Sequence, residues 1–318
     1  MPTSVCCFTD NVCNNNSACS SSKSQYTQDV RRENVDLNTD FTLTDTSWWK
    51  EPTLLVDPHF VSSWDISKKI QNCCPRVSLC CCYCLSCPDV DIGSSQEARI
   101  PLWRYLLPTC YNPTKTDAYV FDPEYPWLYN QYTIPPSMSG RHDPLANCPY
   151  LEDSQMEKDV PQRPPYRWVL IGVTGTGGRV HTDHAGTSAW NAVVTGRKRW
   201  VFFPPHTDGR LLETLEHGHP DERSDFWFLH KYHSVVERVF QETGVKPLEV
   251  MQTAGEVVYI PNGWWHVVRN EMFTVALTEN FGIHPEGSGA LYDAFGKWDK
   301  RSADIWWKWH TSTEVSRE

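Results

Sequence analysis

Two histidines and one aspartate in this chain have the spacing of metal ligands. His181 and Asp183 form an H-x-D motif, and side chains two residues apart in an extended segment point to the same face. The best third ligand is His266, which follows a Pro-Asn-Gly turn between two predicted strands. Two histidines and one carboxylate on one side of an ion form the facial triad of non-heme Fe(II) oxygenases.

An isolated H-x-D motif usually binds nothing, so its surroundings matter. Here a Gly-rich segment at 172–178 precedes the motif, a β-rich block follows it, and P-N-G-W-W-H lies well downstream at 261–266. Longer motifs flank these features: R-P-P-Y-R-W at 163–168, the run from Gly186 to Trp200, K-P-L-E at 246–249, G-W-W-H-V-V at 263–268 and T-E-N-F at 278–281.

With these motifs the sequence resembles the JmjC-domain 2-oxoglutarate oxygenases. The closest subgroup is the one first described as phosphatidylserine-receptor-like, which is associated with lysyl hydroxylation and arginine demethylation. The resemblance covers about residues 98–285 well and 50–70 faintly. It implies that Fe(II) binds to His181, Asp183 and His266, and that 2-oxoglutarate and O₂ are cosubstrates.

Four residues are candidates for binding 2-oxoglutarate. A buried ammonium needs an anionic partner, and the matching family lysine gives Lys198 this role, although a solvated lysine in the basic turn 197–199 is the alternative. The Asn191 amide can donate a hydrogen bond to the keto acid, and the Thr278 hydroxyl could bind its far carboxylate. Tyr119 matches a family tyrosine that reaches the cosubstrate.

The sequence departs from the family at two positions near the metal motif. The family has threonine three residues before the first metal histidine, where this chain has Gly178. Thr176 is two residues away, and a shift of the loop could restore the contact. His184 stands where the family usually has proline, and because it is out of phase with His181 and Asp183, we predict that it is a surface residue.

Composition narrows the partners and the compartment. The 318 residues carry a formal charge of −10, so strong nucleic-acid binding through a basic surface is not expected, whereas an Arg/Lys-rich protein or peptide substrate fits the charge. Seven of the 13 cysteines lie between Cys73 and Cys87; a zinc site, palmitoylation, and a loosely constrained insertion or gene-model artefact are the alternatives, the last being favoured. We expect no signal peptide, no membrane span and an intracellular location, with the nucleus suggested by family analogy.

The predicted organisation is mainly β. Short apolar segments separated by polar turns favour a closed or two-sheet architecture, and the resemblance implies a double-stranded β-helix, a cupin-like jelly-roll barrel with helices outside it. We predict an edge strand at 51–56, a helix at 101–107, a hairpin of 188–194 with 198–203, and a helix at 233–241. Further strands are predicted at 118–122, 167–173, 256–260, 265–270 and 274–280. The domain boundaries are a disordered segment at 1–47, a faint barrel start with the Cys-rich insertion at 48–97, a JmjC catalytic domain at 98–285 and a C-terminal helical extension at 286–318.

The leading functional prediction is a Fe(II)- and 2-oxoglutarate-dependent dioxygenase that hydroxylates protein side chains, with lysyl hydroxylation favoured over removal of methyl groups from arginine or histones. A catalytically inactive barrel that serves as a scaffold is the first alternative, and a metal-dependent cupin isomerase or sugar-binding protein is the second. The C-terminal helices are predicted to form a cap or a homodimer contact.

Overall fold

The computed structural model describes residues 23–39, 50–65, 67, 89–91, 99–101, 119–122, 131–139, 143–152, 160–212, 224–284 and 287–315. The Cys73 to Cys87 segment lies outside these ranges. The helix predicted at 101–107 also lies outside them except for Pro101, which ends a strand instead of beginning a helix.

Two mixed sheets form the barrel and confirm the predicted jelly-roll fold. The larger has the order β2-β3-β11-β8-β13-β7-β6, the smaller has the order β1-β10-β9-β12, and β4 pairs with β5 separately. The strands are β1 Gln28–Asp29, β2 Arg31–Asn34, β3 Thr53–Val56, β4 Asp89–Asp91, β5 Arg99–Pro101, β6 Val120–Asp122, β7 Arg167–Gly172, β8 Ser188–Thr195, β9 Arg197–Phe203, β10 Leu248–Thr253, β11 Glu256–Ile260, β12 Trp265–Asn270 and β13 Thr274–Phe281.

The predicted hairpin of β8 and β9 is wrong, although both strands exist. β8 pairs with β11 and β13 in the larger sheet, and β9 pairs with β10 and β12 in the smaller one. The chain therefore crosses from one sheet to the other at Gly196, whose φ is +96°. A Cβ there would lie 2.4 Å from the carbonyl oxygen of Phe273, so the crossover requires glycine at this position.

Residues 23–39, which belong to the segment 1–47 predicted to be disordered, contain two strands. Residues 23–39 are described, and within them β1 pairs in parallel with β10 while β2 pairs in parallel with β3. β3 is consequently an interior strand and not the predicted edge strand. β2 alternates between half-buried and exposed residues, so backbone pairing holds it in place without the apolar pattern that would reveal a strand.

The helices lie outside the barrel: α1 Phe60–Ser63, a 3₁₀ turn at Pro136–Met138, α2 Gly209–Leu212, α3 Ser224–Phe226, a π-helical turn at Trp227–Lys231, α4 Tyr232–Thr243, α5 Ser288–Trp298 and α6 Lys300–Val315. α4 confirms the helix predicted at 233–241. No helix in the described part of the chain is both long and apolar enough to cross a membrane.

The C-terminal helices pack on the loop that carries the metal motif. Leu291, Phe295 and Trp306 are buried in one cluster with Ala185, which lies two residues after Asp183. Next to Ala185, Gly186 has φ +74°, and a Cβ on it would lie 2.5 Å from the Cβ of Ala294. The helical extension therefore packs as a cap on the barrel.

Candidate metal centre

Backbone pairing holds the two candidate metal histidines face to face. His181 and His266 form an isolated antiparallel bridge, in which the His181 amide donates to the His266 carbonyl at 3.0 Å and the His266 amide donates to the His181 carbonyl at 2.8 Å. Their ring centroids are 4.1 Å apart. These hydrogen bonds hold the loop before β8 against the start of β12. They explain how His181 and His266, which are 85 positions apart in sequence, come together.

Each histidine has its Nδ1 engaged by a nearby carbonyl. His181 Nδ1 donates to the Arg179 oxygen at 2.6 Å, and His266 Nδ1 donates to the Trp264 oxygen at 3.0 Å. Because a carbonyl only accepts, the proton resides on Nδ1 and the Nε2 lone pair is free to bind a metal. Burial and the neighbouring His181 lower the pKa of His266 to about 4, so this imidazole is neutral at physiological pH.

Asp183 supplies the third ligand. One ligand atom from each of His181, Asp183 and His266 can be chosen so that all lie within 4.8 Å of one another. The Asp183 Oδ2 atom is buried and has no hydrogen-bond partner, a costly state unless a cation or proton meets it. Two imidazole nitrogens and a carboxylate oxygen therefore fit a divalent transition-metal ion.

Lys198 is a buried cation with little protein to balance it. Its side chain is 1% exposed, and its Nζ donates to the Tyr119 hydroxyl at 3.0 Å. Burial lowers the pKa of Lys198 to about 7, and among the described residues no carboxylate forms an ion pair with it. An anion that entered the cavity would meet this ammonium directly.

Asn191 and Thr278 lie opposite each other on β8 and β13. Asn191 is buried, and its Oδ1 has no partner. The Thr278 hydroxyl donates its proton to the Trp190 carbonyl at 2.7 Å. The Thr278 oxygen can therefore only accept a hydrogen bond from a ligand, unless the bond to Trp190 breaks. Both residues face the cavity that contains the metal ligands, and their binding of 2-oxoglutarate stays a prediction.

One cavity of about 470 Å³ unites the predicted residues. His181, Asp183, His266, Lys198, Asn191, Thr278 and Tyr119 all line it. The sequence reasoning missed Phe121, Trp168 and Trp200, which also line it. Phe121 and Trp168 could have been suspected because they alternate with Tyr119 and Leu170 on predicted strands.

Thr176 does not take the place of the threonine that the family has at position 178. Its hydroxyl donates to the Val173 carbonyl at 2.7 Å and accepts a hydrogen bond from Asn270 Nδ2 at 3.0 Å. Gly178 lines the cavity and Thr176 does not. The wall beside His181 therefore lacks a hydroxyl at this point.

The prediction that His184 is a surface residue is wrong. Its Nε2 bonds to the Pro165 carbonyl at 2.8 Å, and its ring packs edge-on against Trp168 with centroids 5.8 Å apart. Burial lowers the pKa of His184. The strand alternation used in the prediction fails because the residues after Asp183 form a turn.

Gln252 is a second residue that sequence reasoning missed. It is fully buried, and its Nε2 donates to the Asn191 and Glu256 carbonyls while its Oε1 accepts from Trp200 Nε1 at 2.9 Å. Since Gln252 and Trp200 belong to the smaller sheet and Asn191 and Glu256 to the larger one, this amide joins the two sheets beneath the cavity. Two of its three partners, Trp200 and Asn191, are 52 and 61 residues away in sequence, so no local pattern reveals it.

Comparison with known proteins agrees with this geometry. Residues 168–281 match the profile of the JmjC domain, described as a hydroxylase domain. The chain is 32% identical over 209 residues to the bifunctional arginine demethylase and lysyl-hydroxylase psr-1 of Caenorhabditis elegans, covering 61% of this chain and 47% of that protein.

Two further relatives carry related descriptions. The arginine-specific demethylase JMJ22 of Arabidopsis thaliana is 34% identical over 174 residues, covering 51% of this chain and 30% of that protein. The 2-oxoglutarate and iron-dependent oxygenase JMJD4 of Danio rerio is 25% identical over 176 residues, covering 46% of this chain and 39% of that protein. The chain thus spans less than half the length of these curated relatives.

Proposed function

We propose that this chain, whose residues 168–281 match the JmjC-domain profile, is a Fe(II)- and 2-oxoglutarate-dependent dioxygenase that oxidises side chains of proteins. One observation carries the proposal: a His-Asp-His set with free ligand atoms shares a cavity with the buried ammonium of Lys198, which has no carboxylate partner among the described residues. A cation site and an anion site side by side suit a metal and a keto-acid cosubstrate.

The protein groups divide the work by position. His181, Asp183 and His266 would hold Fe(II) through their free ligand atoms. When bound, iron together with O₂ and 2-oxoglutarate supplies an oxidant that can remove hydrogen from a C–H bond. Lys198 and Tyr119 bind the far carboxylate, where the low local dielectric strengthens the charge pair, and the apolar walls at Trp168 and Trp200 exclude water.

The substrate is a protein or peptide rich in arginine and lysine. Relatives are described as acting on both residue types, and the chain's charge of −10 suits a basic partner. We favour hydroxylation of lysine, because it needs no prior methylation, and place removal of methyl groups from arginine second. Nuclear location and a homodimer through α5 and α6 are proposals of the same standing, tested by imaging a tagged chain and by sedimentation.

An inactive scaffold with the same barrel would not need these chemical groups. The uncompensated Lys198 and the unpartnered oxygens of Asp183 and Asn191 each destabilise an empty cavity. A scaffold would gain stability by losing them. A cupin isomerase or sugar-binding protein would not need the buried ammonium of Lys198.

The test is succinate release from 2-oxoglutarate in the presence of Fe(II), ascorbate and a lysine- and arginine-rich peptide library read by mass spectrometry. We expect a mass gain of one oxygen on a lysine. His181→Ala, Asp183→Ala and His266→Ala should each abolish turnover and lower iron content, because each ligand of a three-ligand site is needed. All three should remain folded, since apolar strands build the barrel. Wild-type turnover in any of them would remove that residue from the triad.

A further inference from the structure

A continuous row of aromatic rings runs from the cavity to the protein surface. Phe121 stacks on Trp168 with centroids 5.1 Å apart, Trp168 meets His184 at 5.8 Å, and His184 meets Trp298 at 6.2 Å. The first three residues line the cavity. We call these four residues the aromatic wall.

The outer end of the wall is fixed in place and remains accessible. Trp298 is the last residue of α5, and this helix is anchored on the metal-motif loop through Ala185 and Gly186. Phe121 and Trp298 nevertheless remain 40% and 41% exposed. Phe121 lines the cavity and Trp298 extends the row beyond it, so these two exposed rings form an apolar contact surface for a ligand.

We propose that the aromatic wall binds an arginine or lysine side chain of the protein substrate that flanks the residue inside the cavity. This inference rests on the proposed function and extends it. The C-terminal cap thereby contributes a specificity-determining residue, Trp298, to the substrate site. Nothing in the resemblance to the family requires this, because family members usually have proline in place of His184, the ring that links Trp168 to Trp298.

The chemistry of the wall favours a cation. Ring faces attract guanidinium and ammonium groups, and this chain already uses such contacts: Arg163 lies 3.6 Å from the Tyr166 centroid and Arg199 lies 4.4 Å from the Tyr232 centroid. The overall charge of −10 attracts basic segments to the molecule.

The spacing of the wall suits a flanking residue. In an extended peptide, residues two apart point the same way and are separated by about 6.6 Å, close to the 6.2 Å between the His184 and Trp298 rings. A target side chain that enters the cavity past the His184 ring would therefore place the side chain two residues away near Trp298. The rival occupant is an acidic flank, which the exposed Arg179 at the same cavity would favour.

The experiment compares Trp298→Leu with Trp298→Phe in the 318-residue chain. Leucine keeps an apolar contact and removes the ring face, whereas phenylalanine keeps a ring. Each enzyme is given three peptides with the same target lysine and with arginine, citrulline or glutamate two residues away. Citrulline is a neutral analogue of arginine, so the difference between the first two peptides isolates the charge. Peptide binding is measured by fluorescence anisotropy and turnover by oxygen gain on the peptide.

We expect wild type to prefer the arginine peptide to the citrulline peptide, and Trp298→Leu to lose about 2- to 5-fold in affinity and kcat/KM for the arginine peptide only, the range for an exposed cation–π contact. Trp298→Phe should keep the preference. An equal loss on all three peptides, no loss, or a preference for the glutamate peptide would overturn the proposal. Absence of all succinate release in wild type would instead refute the proposed function. The peptide-binding data would still test whether the aromatic wall binds a basic side chain.

Discussion

Replacing Lys198 with methionine should make the empty protein more stable and the cosubstrate bind more weakly. Methionine has a similar length and no charge, so it fills the same space. Lys198 is 1% exposed, and its Nζ donates a hydrogen bond to the Tyr119 hydroxyl. The ammonium is thus a cost to folding that the bound anion offsets, and removing it separates the two effects.

The size of the effect follows from the pKa of Lys198, which burial lowers from 10.5 to about 7. Each pKa unit corresponds to about 1.4 kcal/mol, so burying the charged form costs about 5 kcal/mol at pH values below 7. Between pH 7 and 10.5 the folded chain loses its proton before the unfolded chain does, and the stability of the wild type rises with pH. Lys198→Met should therefore be stabilised by about 5 kcal/mol at pH 6 and by about 2 kcal/mol at pH 9.

Cosubstrate binding should change in the opposite direction. Removing one partner of a buried charge pair costs roughly 2–5 kcal/mol, which predicts at least about a 30-fold weaker affinity for 2-oxoglutarate. Urea unfolding of the metal-free chain at both pH values gives the stabilities, and titration with 2-oxoglutarate in the presence of metal gives the affinity. A variant that is no more stable than wild type at pH 6 and binds 2-oxoglutarate equally well would refute the role of Lys198. Lys198→Arg serves as a control that keeps the charge.

Two further changes probe the surroundings of the cavity. Burial raises the pKa of Glu279 from 4.5 to about 7, so the contribution of Glu279 to the free energy of unfolding falls as pH rises from 4.5 through 7. The stability of Glu279→Gln relative to wild type, measured by urea unfolding, should therefore rise by about 2–3 kcal/mol between pH 5 and pH 8. A stability difference that does not depend on pH would contradict this. Gly186→Ala should lower the melting temperature and peptide turnover together, because the φ of Gly186 is +74° and the added Cβ would lie 2.5 Å from the Cβ of Ala294. An unchanged melting temperature would show that the loop and α5 adapt freely. Gly244→Ala is the control for backbone strain alone, since Gly244 lies at a helix end and has no atom within 4 Å of the added Cβ.

Local sequence predicted the elements of this protein better than their partners. Strands β7, β11, β12 and β13 were recognisable from short apolar segments, and α4 from its periodicity. The hairpin at Gly196 was predicted because two strands joined by a short turn pair in most proteins. The prediction was wrong because in this barrel the two strands pair with partners in different sheets. The sequence of a strand indicates which of its residues are buried, and it does not indicate which strands pair with it.

The site shows the same division between local and distant information. His181, Asp183 and Lys198 stand in recognisable motifs, and the structure places them in one cavity with His266. Gln252 could not be found from sequence, because its three hydrogen-bond partners lie in strands up to 61 residues away. A buried side-chain amide that forms hydrogen bonds with groups on two sheets produces no periodic pattern in the sequence.

His184 shows why a departure from a family pattern has to be judged in three dimensions. In sequence it is a polar residue out of phase with two metal ligands, which suggested exposure. In the fold, the turn after Asp183 directs its ring between Trp168 of β7 and Trp298 of α5, because Ala185 and Gly186 are seated against that helix. A proline at this position could fill space but could not bond to the Pro165 carbonyl as His184 does. The substitution and the helix therefore have one physical explanation: together they extend the cavity wall outward from Trp168 to the exposed ring of Trp298.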